Sequence, residues 1–145
     1  MTGIVVRLAR DKADVEAARK LCQEWWDWHW ENYPSDWPTK DDPDWPTEVE
    51  HPMDPEKFRA TLEELPERHK RPGGGILVAS VNGIPAGCVM YNEASPGIAE
   101  FHRMFVSVKG RGNGLGRKLL ESLFTQMIED GYTRVFFSSA TFLTH

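Results

Sequence analysis

Residues 109–118 form a stretch in which four glycines lie between basic side chains (KGRGNGLGRK). An apolar run over residues 101–108 precedes it, and apolar residues at helical spacing follow it as far as Gly131. A strand that enters a glycine-rich turn at the start of a helix presents backbone N–H groups at the positive end of the helix dipole. The pattern therefore predicts a phosphate-binding turn.

Two common phosphate-binding motifs do not fit this turn. A triphosphate-binding loop needs glycine, four residues, and then Gly-Lys followed by Ser or Thr. Leu115 and Arg117 stand five positions after Gly110 and Gly112, so that motif fails. The dinucleotide fingerprint Gly-x-Gly-x-x-Gly also fails, because its third glycine always falls on a leucine or an arginine. The turn belongs to another class of phosphate site.

The first part of the chain predicts a strand, a helix and a loop. Residues 4–8 are a short apolar run suited to a strand. Asp11 or Asp14 can cap a helix that continues to about Tyr33. Residues 34–52 hold five prolines and many carboxylates without a regular period, so they predict an ordered loop or a lid.

A second helix and a meander of strands are predicted next. Asp54, with proline after it, marks the start of the helix, and Pro66 is expected to end it. The apolar runs 76–81 and 84–91 flank an Asn-Gly dipeptide, which is a strong signal for a two-residue hairpin turn. A third run, residues 98–108, continues the meander into the glycine-rich turn.

The helix after the turn leads to a last apolar run, residues 133–138. A strand–helix–strand unit makes this last strand parallel to the one before it. Together the elements predict an α/β fold, with a mixed, mostly antiparallel sheet of about five strands and helices on its faces. The length of 145 residues suits one domain.

Composition argues against several classes of protein. A formal net charge of -5 disfavours nucleic-acid binding as the main activity. The N-terminal residues lack the apolar length of a signal peptide or a membrane span, so we expect a cytoplasmic protein with no membrane partner. Cys22 and Cys88 lack metal-ligand spacing and predict free core thiols and no bound metal. His29, His51 and His69 are expected in surface or capping positions.

Residues 111–116 (RGNGLG) resemble the Arg/Gln-x-x-Gly-x-Gly/Ala signature of the GNAT superfamily, the acyl-CoA-dependent N-acetyltransferases. Residues 99–106 (AEFHRMFV) resemble the family's fourth strand, which often reads Glu-x-x-Arg-Leu-Tyr-Val. Residues 117–120 (RKLL) are similar to the start of its third helix. The order of predicted elements also matches. The resemblance implies a single GNAT-like domain over residues 1–145, with splayed fourth and fifth strands.

The resemblance further implies acetyl-CoA as the acyl donor, held by two groups of residues. The pyrophosphate would be bound by backbone N–H groups and cations of the turn at Arg111, Gly112, Asn113, Gly114, Leu115, Gly116 and Arg117. The pantetheine arm would bind the backbone of the fourth strand at Met104, Phe105 and Val106. One N–H group there would stabilise the thioester oxygen as it gains negative charge.

Transfer to an amine needs a base, because an ammonium must lose a proton before it attacks the thioester. Glu100 occupies the place where several members of the family keep such a carboxylate, and His102 is a second catalytic candidate. Strand alternation predicts that Met104 shares the face of both candidates and that Arg103 lies on the opposite face. The alternative is that Glu100 pairs with Arg103 or a neighbouring strand and that His102 is solvated.

The tryptophans all lie between Trp25 and Trp45, in the region where the family's first two helices and their connection line the acceptor pocket. Aromatic faces and the many carboxylates of this region would suit a cationic amine. Trp25, Trp26 and Trp28 fit the buried stripe of the first helix, and core packing or solvation explains most of this region. The candidates for contact with the acceptor are Trp37, Trp45 or one of the nearby aspartates. The resemblance implies a small-molecule or amino-acid-like primary amine.

The sequence differs from the family pattern at its C-terminus. Members of the family usually continue after the fifth strand into a helix whose tyrosine is the general acid, and then into two more strands. Here residues 141–145 end the chain where that helix would begin. We therefore expect a C-terminally short member, for which a catalytically silent acyl-CoA-binding or regulatory module is the alternative function. The edge of the fifth strand predicts pairing with a second copy, as a homodimer.

Overall fold

The computed structural model describes residues 3–36, 41, 43–44, 46, 54–108, 110, 112 and 114–137. Over these ranges the strands and helices follow in the order β1 (Ile4–Leu8), α1 (Lys12–Glu31), α2 (Pro55–Arg68), β2 (Gly75–Val81), β3 (Ile84–Ser95), β4 (Ile98–Val106), α3 (Leu115–Glu129) and β5 (Arg134–Phe137). The predicted Asn-Gly turn joins β2 and β3, with φ of 51° at Asn82 and 84° at Gly83.

The five strands form one sheet in the order β1-β2-β3-β4-β5. Neighbouring strands pair antiparallel from β1 to β4, and β5 is parallel to β4. The predicted mixed, mostly antiparallel sheet is therefore confirmed. The predicted last strand extends to residue 138, which lies outside the described residues.

A layer of helices covers each face of the sheet. The α3 layer buries Tyr91, Leu119 and Leu123, among others, against one face. The α1 and α2 layer buries Leu21, Leu65 and others against the opposite face. The predicted free core thiols are confirmed, since Cys22 and Cys88 are unbridged and buried in the second layer.

The predicted ends of the first two helices are corrected. Helix α1 ends at Glu31 rather than near Tyr33: the N–H of Tyr33 bonds to the carbonyl of Trp30, three residues back, at 3.3 Å, so the α-helical pattern stops there. Helix α2 does not end at Pro66 but continues to Arg68. Proline has no N–H for the carbonyl four residues earlier, and that carbonyl, on Leu62, accepts from Nε of Arg19 at 2.8 Å instead.

A bulge in β4 overturns the predicted alternation of its side chains. Cys88 and Met90 of β3 pair with Phe105 and His102, so three steps along β4 oppose two along β3. The extra residue turns the strand, and Arg103 has a φ of 53°.

The bulge moves the side chains after His102 to faces that alternation does not predict. Phe105, for which alternation predicts the face of Phe101, packs on the α1 and α2 side instead. Met104 packs with Phe101 against the α3 core, away from His102. Arg103 reaches the α1 and α2 side, where its Nη1 lies 3.1 Å from Nε2 of His69, and the His69 ring lies 5.8 Å from the ring of His102. The prediction that Met104 shares a face with Glu100 and His102 is wrong, as is the prediction that Arg103 opposes them.

The described helices were also compared with the requirements of a membrane span. None of them combines the length and the apolar character that crossing a bilayer needs.

Candidate active site

The N-terminus of α3 has no side-chain cap, unlike the other two helices. Asp11 caps α1 and Asp54 caps α2 through their carboxylates. The N-cap of α3 is Gly114, whose φ of 71° favours glycine, and among the described residues no side chain caps this end of the helix. The first intrahelical bond runs from Lys118 N to Gly114 O at 3.2 Å. The N–H groups of residues 115–117 therefore have no acceptor within the helix.

The charges around this helix end also favour an anion. The first turns of α1 and α2 carry Asp14 and Glu56, whereas the first turn of α3 has no acidic residue. Arg117 and Lys118 stand there instead. A cation near the positive end of a helix is unfavourable. A bound anion would offset both the helix dipole and these two charges.

Close packing fixes the start of α3 against the sheet. Leu115 is buried, with 1% of its surface exposed. A Cβ at Gly110 would lie 2.5 Å from Cδ2 of Leu115 and 3.0 Å from Cβ of Ala86, so only glycine fits there. The N–H of Ser107 donates to the carbonyl of Ala86 at 2.8 Å, which holds the end of β4 to β3.

Two side chains from the end of β4 lie beside the first turn of α3. A Cβ at Gly116 would lie 3.7 Å from Cε of Met104 and from Cγ2 of Val106, which is ordinary contact. Packing therefore does not require glycine at position 116. An alanine would fit there and would stabilise the helix by about 1 kcal/mol relative to glycine. The missing side chain leaves room above the first turn for a ligand.

The edge of β4 that faces β5 is only partly paired. Residues 98–101 of β4 pair with residues 134–137 of β5. Beyond Phe101, the rest of β4 pairs with β3 on its other side but with no strand among the described residues on the β5 side. The described part of β5 therefore does not pair with Met104, Phe105 or Val106.

The structure thus brings together most of the residues predicted to hold the donor. Met104, Val106 and the first turn of α3 lie side by side, while the Phe105 side chain packs toward α1 and α2. Arg117 lies on the surface and pairs with Glu121 at 3.2 Å. Arg111 and Asn113 lie outside the described residues.

Glu100 and His102 form a pair at the other end of this edge. Oε1 of Glu100 lies 3.4 Å from Nε2 of His102, and Oδ1 of Asn92 lies 2.9 Å from the same nitrogen. Both neighbours are acceptors, so Nε2 carries the proton and Nδ1 keeps a lone pair. Burial lowers the pKa of His102 below its usual value, and the Glu100 carboxylate opposes that shift. His102 is therefore neutral at pH 7.

His69 and Arg103 form a second pair behind His102. His69 follows α2 and is buried, with 4% of its surface exposed. Its Nδ1 lies 3.0 Å from the carbonyl of Tyr91 and its Nε2 lies 3.1 Å from Nη1 of Arg103. Nδ1 therefore donates and Nε2 accepts. Burial lowers the pKa of His69 to about 4, which keeps the ring neutral.

Sequence reasoning missed part of this cluster. His69 caps α2 as one of the predicted roles allows, but it is buried rather than on the surface. Arg103 was expected on the opposite face because no residue pattern announces the bulge. Asn92 could not be found, since its approach to His102 depends on the register of β3 against β4.

The burial of the tryptophan side chains differs in part from the prediction. Trp26 is buried and stacks on Phe58 of α2 with 4.3 Å between ring centroids. The prediction that Trp28 lies in the buried stripe is wrong, since 42% of its surface is exposed and it lines a cleft beside Phe105 and Val108. Trp37 and Trp45 lie outside the described residues.

A cleft of about 430 Å³ lies between α1 and the end of β4. We call it the acidic cleft; its lining residues are Lys20, Gln23, Glu24, Asp27, Trp28, Glu31, Phe105 and Val108. Across the described ranges, no three His, Cys, Asp or Glu side chains converge as a metal site would require.

Comparison with known proteins identifies the class. A model of the acetyltransferase (GNAT) family matches residues 22–143. The chain therefore belongs to the GNAT acetyltransferase family. No curated protein sequence matches the chain significantly.

The fold is similar to that of solved acetyltransferases. A GNAT-family acetyltransferase from Staphylococcus aureus Mu50 has a TM-score of 0.68 and 14% identity, over 94% of this chain and 74% of that chain. The aminoglycoside N-acetyltransferase AAC(6')-Iy, solved with CoA, gives 0.64 and 14% over 99% and 82%. The aminoglycoside acetyltransferase meta-AAC0020, from an uncultured soil metagenomic sample and solved with sisomicin, gives 0.58 and 13% over 97% and 79%. At these identities the similarity concerns the fold alone.

Replacing His69 with asparagine tests the buried neutral imidazole. The unfolded chain binds a proton at His69 near its usual pKa of 6.5, whereas the folded chain does so only near 4. Between these values the unfolded state binds more protons, so the free energy of unfolding falls as the pH falls from 6.5 to 4. The contribution is about 3 kcal/mol when complete.

Urea unfolding at pH 7, 6, 5 and 4 measures this effect. His69→Asn keeps a neutral donor for the Tyr91 carbonyl, so its stability should fall less steeply over the same range. His29→Asn is the control, because His29 lies on α1 and contacts the Trp25 carbonyl rather than the cluster. Equal slopes for the wild type and His69→Asn would show that His69 is not held neutral.

Proposed function

We propose that the chain is an N-acetyltransferase that transfers the acetyl group of acetyl-CoA to a primary amine of a small molecule or an amino-acid-like acceptor. The observation that carries this proposal is the start of α3 at Gly114, which has no side-chain cap among the described residues and lies beside Met104 and Val106 of β4. Family membership supports the class of reaction, and a fold neighbour solved with CoA supports the donor. The proposal treats residues 1–145 as one domain.

In this proposal the pyrophosphate of the donor lies against the first turn of α3. The open N–H groups of Leu115 and Gly116 donate to it, and the glycine at 114 lets it approach the backbone. Arg117 adds a full charge by leaving its exposed pair with Glu121, which is worth little in water. The remaining proposed partners are Arg111, Gly112 and Asn113.

The pantetheine arm would lie along the edge of β4 beyond Phe101. Backbone groups of Met104, Phe105 and Val106 would bind it as a further strand. When bound, the thioester supplies an electrophilic carbonyl carbon and a thiolate leaving group. A β4 N–H group directed at the carbonyl oxygen would stabilise the charge that develops there.

His102 is the proposed base, and Glu100 is the proposed partner that makes it effective. The lone pair on Nδ1 of His102 takes the proton that the acceptor ammonium must lose. The Glu100 carboxylate beside Nε2 then stabilises the imidazolium. Side-chain exposures of 28% for His102 and 22% for Glu100 leave both groups within reach of a ligand.

A small-molecule acceptor is supported by analogy, since one fold neighbour is an aminoglycoside acetyltransferase solved with sisomicin. Trp37 and Trp45 stay candidates for acceptor contact. We propose no nucleic-acid partner, in keeping with the net charge of -5. A homodimer formed through β5 and a cytoplasmic location also stay predictions.

Replacing Gly114 with glutamate tests the phosphate site. The new carboxylate would repel the pyrophosphate and remove charge-assisted hydrogen bonds worth about 3 kcal/mol, so the affinity for acetyl-CoA should fall about 100-fold. Calorimetric titration measures this affinity. Gly83→Glu is a matched control, because Gly83 has a φ of 84° against 71° at Gly114, and neither Cβ would meet another atom within 4 Å. Unchanged affinity in Gly114→Glu would refute the site.

Replacing His102 and Glu100 with glutamine tests the base. His102→Gln should lower kcat about 100-fold and remove the fall in kcat/KM at low pH. Glu100→Gln removes the carboxylate that raises the pKa of His102, so the same fall should move to lower pH. Thiol release from acetyl-CoA with a panel of primary amines gives these profiles.

His29→Gln is the control for the general effect of losing an imidazole, and it should keep the wild-type profile. A fall at low pH that persists in His102→Gln would assign the base to another group. Binding of acetyl-CoA without thiol release on any amine would favour the catalytically silent acyl-CoA-binding module.

A further inference from the structure

Arg103 adopts a backbone conformation that is uncommon for a residue with a side chain. Its φ of 53° lies in the left-handed region, which favours glycine. The bulge at this position turns the Arg103 side chain toward α1 and α2, on the same face as His102. Strained residues of this kind cluster at functional sites, where an unusual side-chain direction is needed.

The Arg103 guanidinium has no counter-ion among the described residues. Its Nη1–H donates to Nε2 of neutral His69 at 3.1 Å. None of the ion pairs in the described ranges includes Arg103. Burial lowers the pKa of Arg103, and the positive charge of Arg68 acts in the same direction. A partly buried cation held only by a neutral ring is unfavourable, since no ion pair offsets its desolvation.

The remaining donors of this guanidinium are not fully enclosed by the protein. An arginine has five N–H donors, and His69 accepts one of them. Among the described side chains, no nitrogen or oxygen is both fully enclosed and without a hydrogen-bond partner. The unused guanidinium nitrogens therefore reach solvent. Their planar fork matches the two oxygens of a carboxylate.

We propose that the acceptor carries a carboxylate next to its amine, as an α-amino acid does, and that Arg103 binds this carboxylate. The inference rests on the N-acetyltransferase function proposed above. Residues 102 and 103 are consecutive, with Cα atoms about 3.8 Å apart, and the bulge brings both side chains to one face. Both side chains also lie against His69, whose ring is 5.8 Å from the His102 ring and whose Nε2 is 3.1 Å from Nη1 of Arg103. The proposed base and the anion subsite are therefore neighbours of one imidazole, which suits a short spacing between amine and carboxylate.

The local charge distinguishes this acceptor from a polyamine. Arg103 lowers the pKa of His102 and Glu100 raises it. Arg68 also lowers this pKa, but it is paired with Glu64 at 2.9 Å, so Arg103 is the cation there without a carboxylate partner among the described residues. A polycationic acceptor is disfavoured in such a field. It would suit the acidic cleft, but that cleft lies toward the opposite end of β4, at Phe105 and Val108 rather than at His102.

Matched pairs of ligands test the proposal on the wild-type protein saturated with CoA. The probes are α-amino acids and their carboxamides, which differ in the charge beside the amine, together with spermidine. Calorimetry should show at least one amino acid binding about 100-fold more tightly than its amide, the ratio expected for a charge-assisted bidentate pair. Arg103→Met should reduce this ratio to near one, and Arg103→Lys should keep part of it.

Arg59→Met is the matched control, since Arg59 is exposed on α2. It should keep the wild-type ratio. Circular dichroism and the affinity for acetyl-CoA show whether Arg103→Met is folded. If Arg103→Met is unfolded, the ratio of amino-acid to amide affinity in the wild type and in Arg103→Lys tests the proposal instead. The proposal is overturned if every amino acid binds no better than its amide, if spermidine binds more tightly than all of them, or if folded Arg103→Met keeps the preference.

Thiol release from acetyl-CoA, measured with the same ligands, separates this inference from the proposed function. Transfer to amides as fast as to acids, unaffected by Arg103→Met, would leave the N-acetyltransferase standing and remove the carboxylate subsite. Arg103-dependent binding of an amino acid with no thiol release from any probe would keep the subsite and remove the transferase.

Discussion

The bulge at Arg103 is the constraint on which the site depends. One extra residue in β4 divides the strand into a part before the bulge, whose residues 98–101 pair with β5, and a part that ends beside α3. The first part carries Glu100 and His102. The second delivers Met104 and Val106 to the glycine-opened turn of α3. Without the extra residue, Arg103 would point into the α3 core and Met104 would take its place beside His102.

The three helices differ in how the N–H groups at their N-termini are satisfied. Asp11 and Asp54 satisfy the N–H groups at the starts of α1 and α2, so those ends are complete within the protein. Helix α3 begins with Gly114 and has no side-chain cap in the part of the chain that the structure describes. Its first turn adds Arg117 and Lys118 where electrostatics favours acids. A helix start of this kind is stabilised by a bound anion.

The sequence predicts the fold well because its signals are local. The caps at Asp11 and Asp54, the Asn-Gly hairpin and the strand–turn–helix around Gly114 each act within a few residues. The continuation of α2 past Pro66 depends on Arg19, which lies on another helix. The site is harder to predict for the same reason. His69 and Asn92 come close to His102 only through tertiary packing. No sequence pattern predicts the bulge, because it lies at an arginine rather than at a glycine.

The central claim is that the open N–H groups of α3 bind the pyrophosphate of an acyl-CoA. Titration of nitrogen-15-labelled protein with CoA tests it most directly, because each backbone N–H reports its own environment. The account predicts that the largest amide shifts occur at Gly114, Leu115 and Gly116, with a second group at Met104 to Val106. Saturating CoA that leaves these amides unshifted, while shifting others, would contradict it.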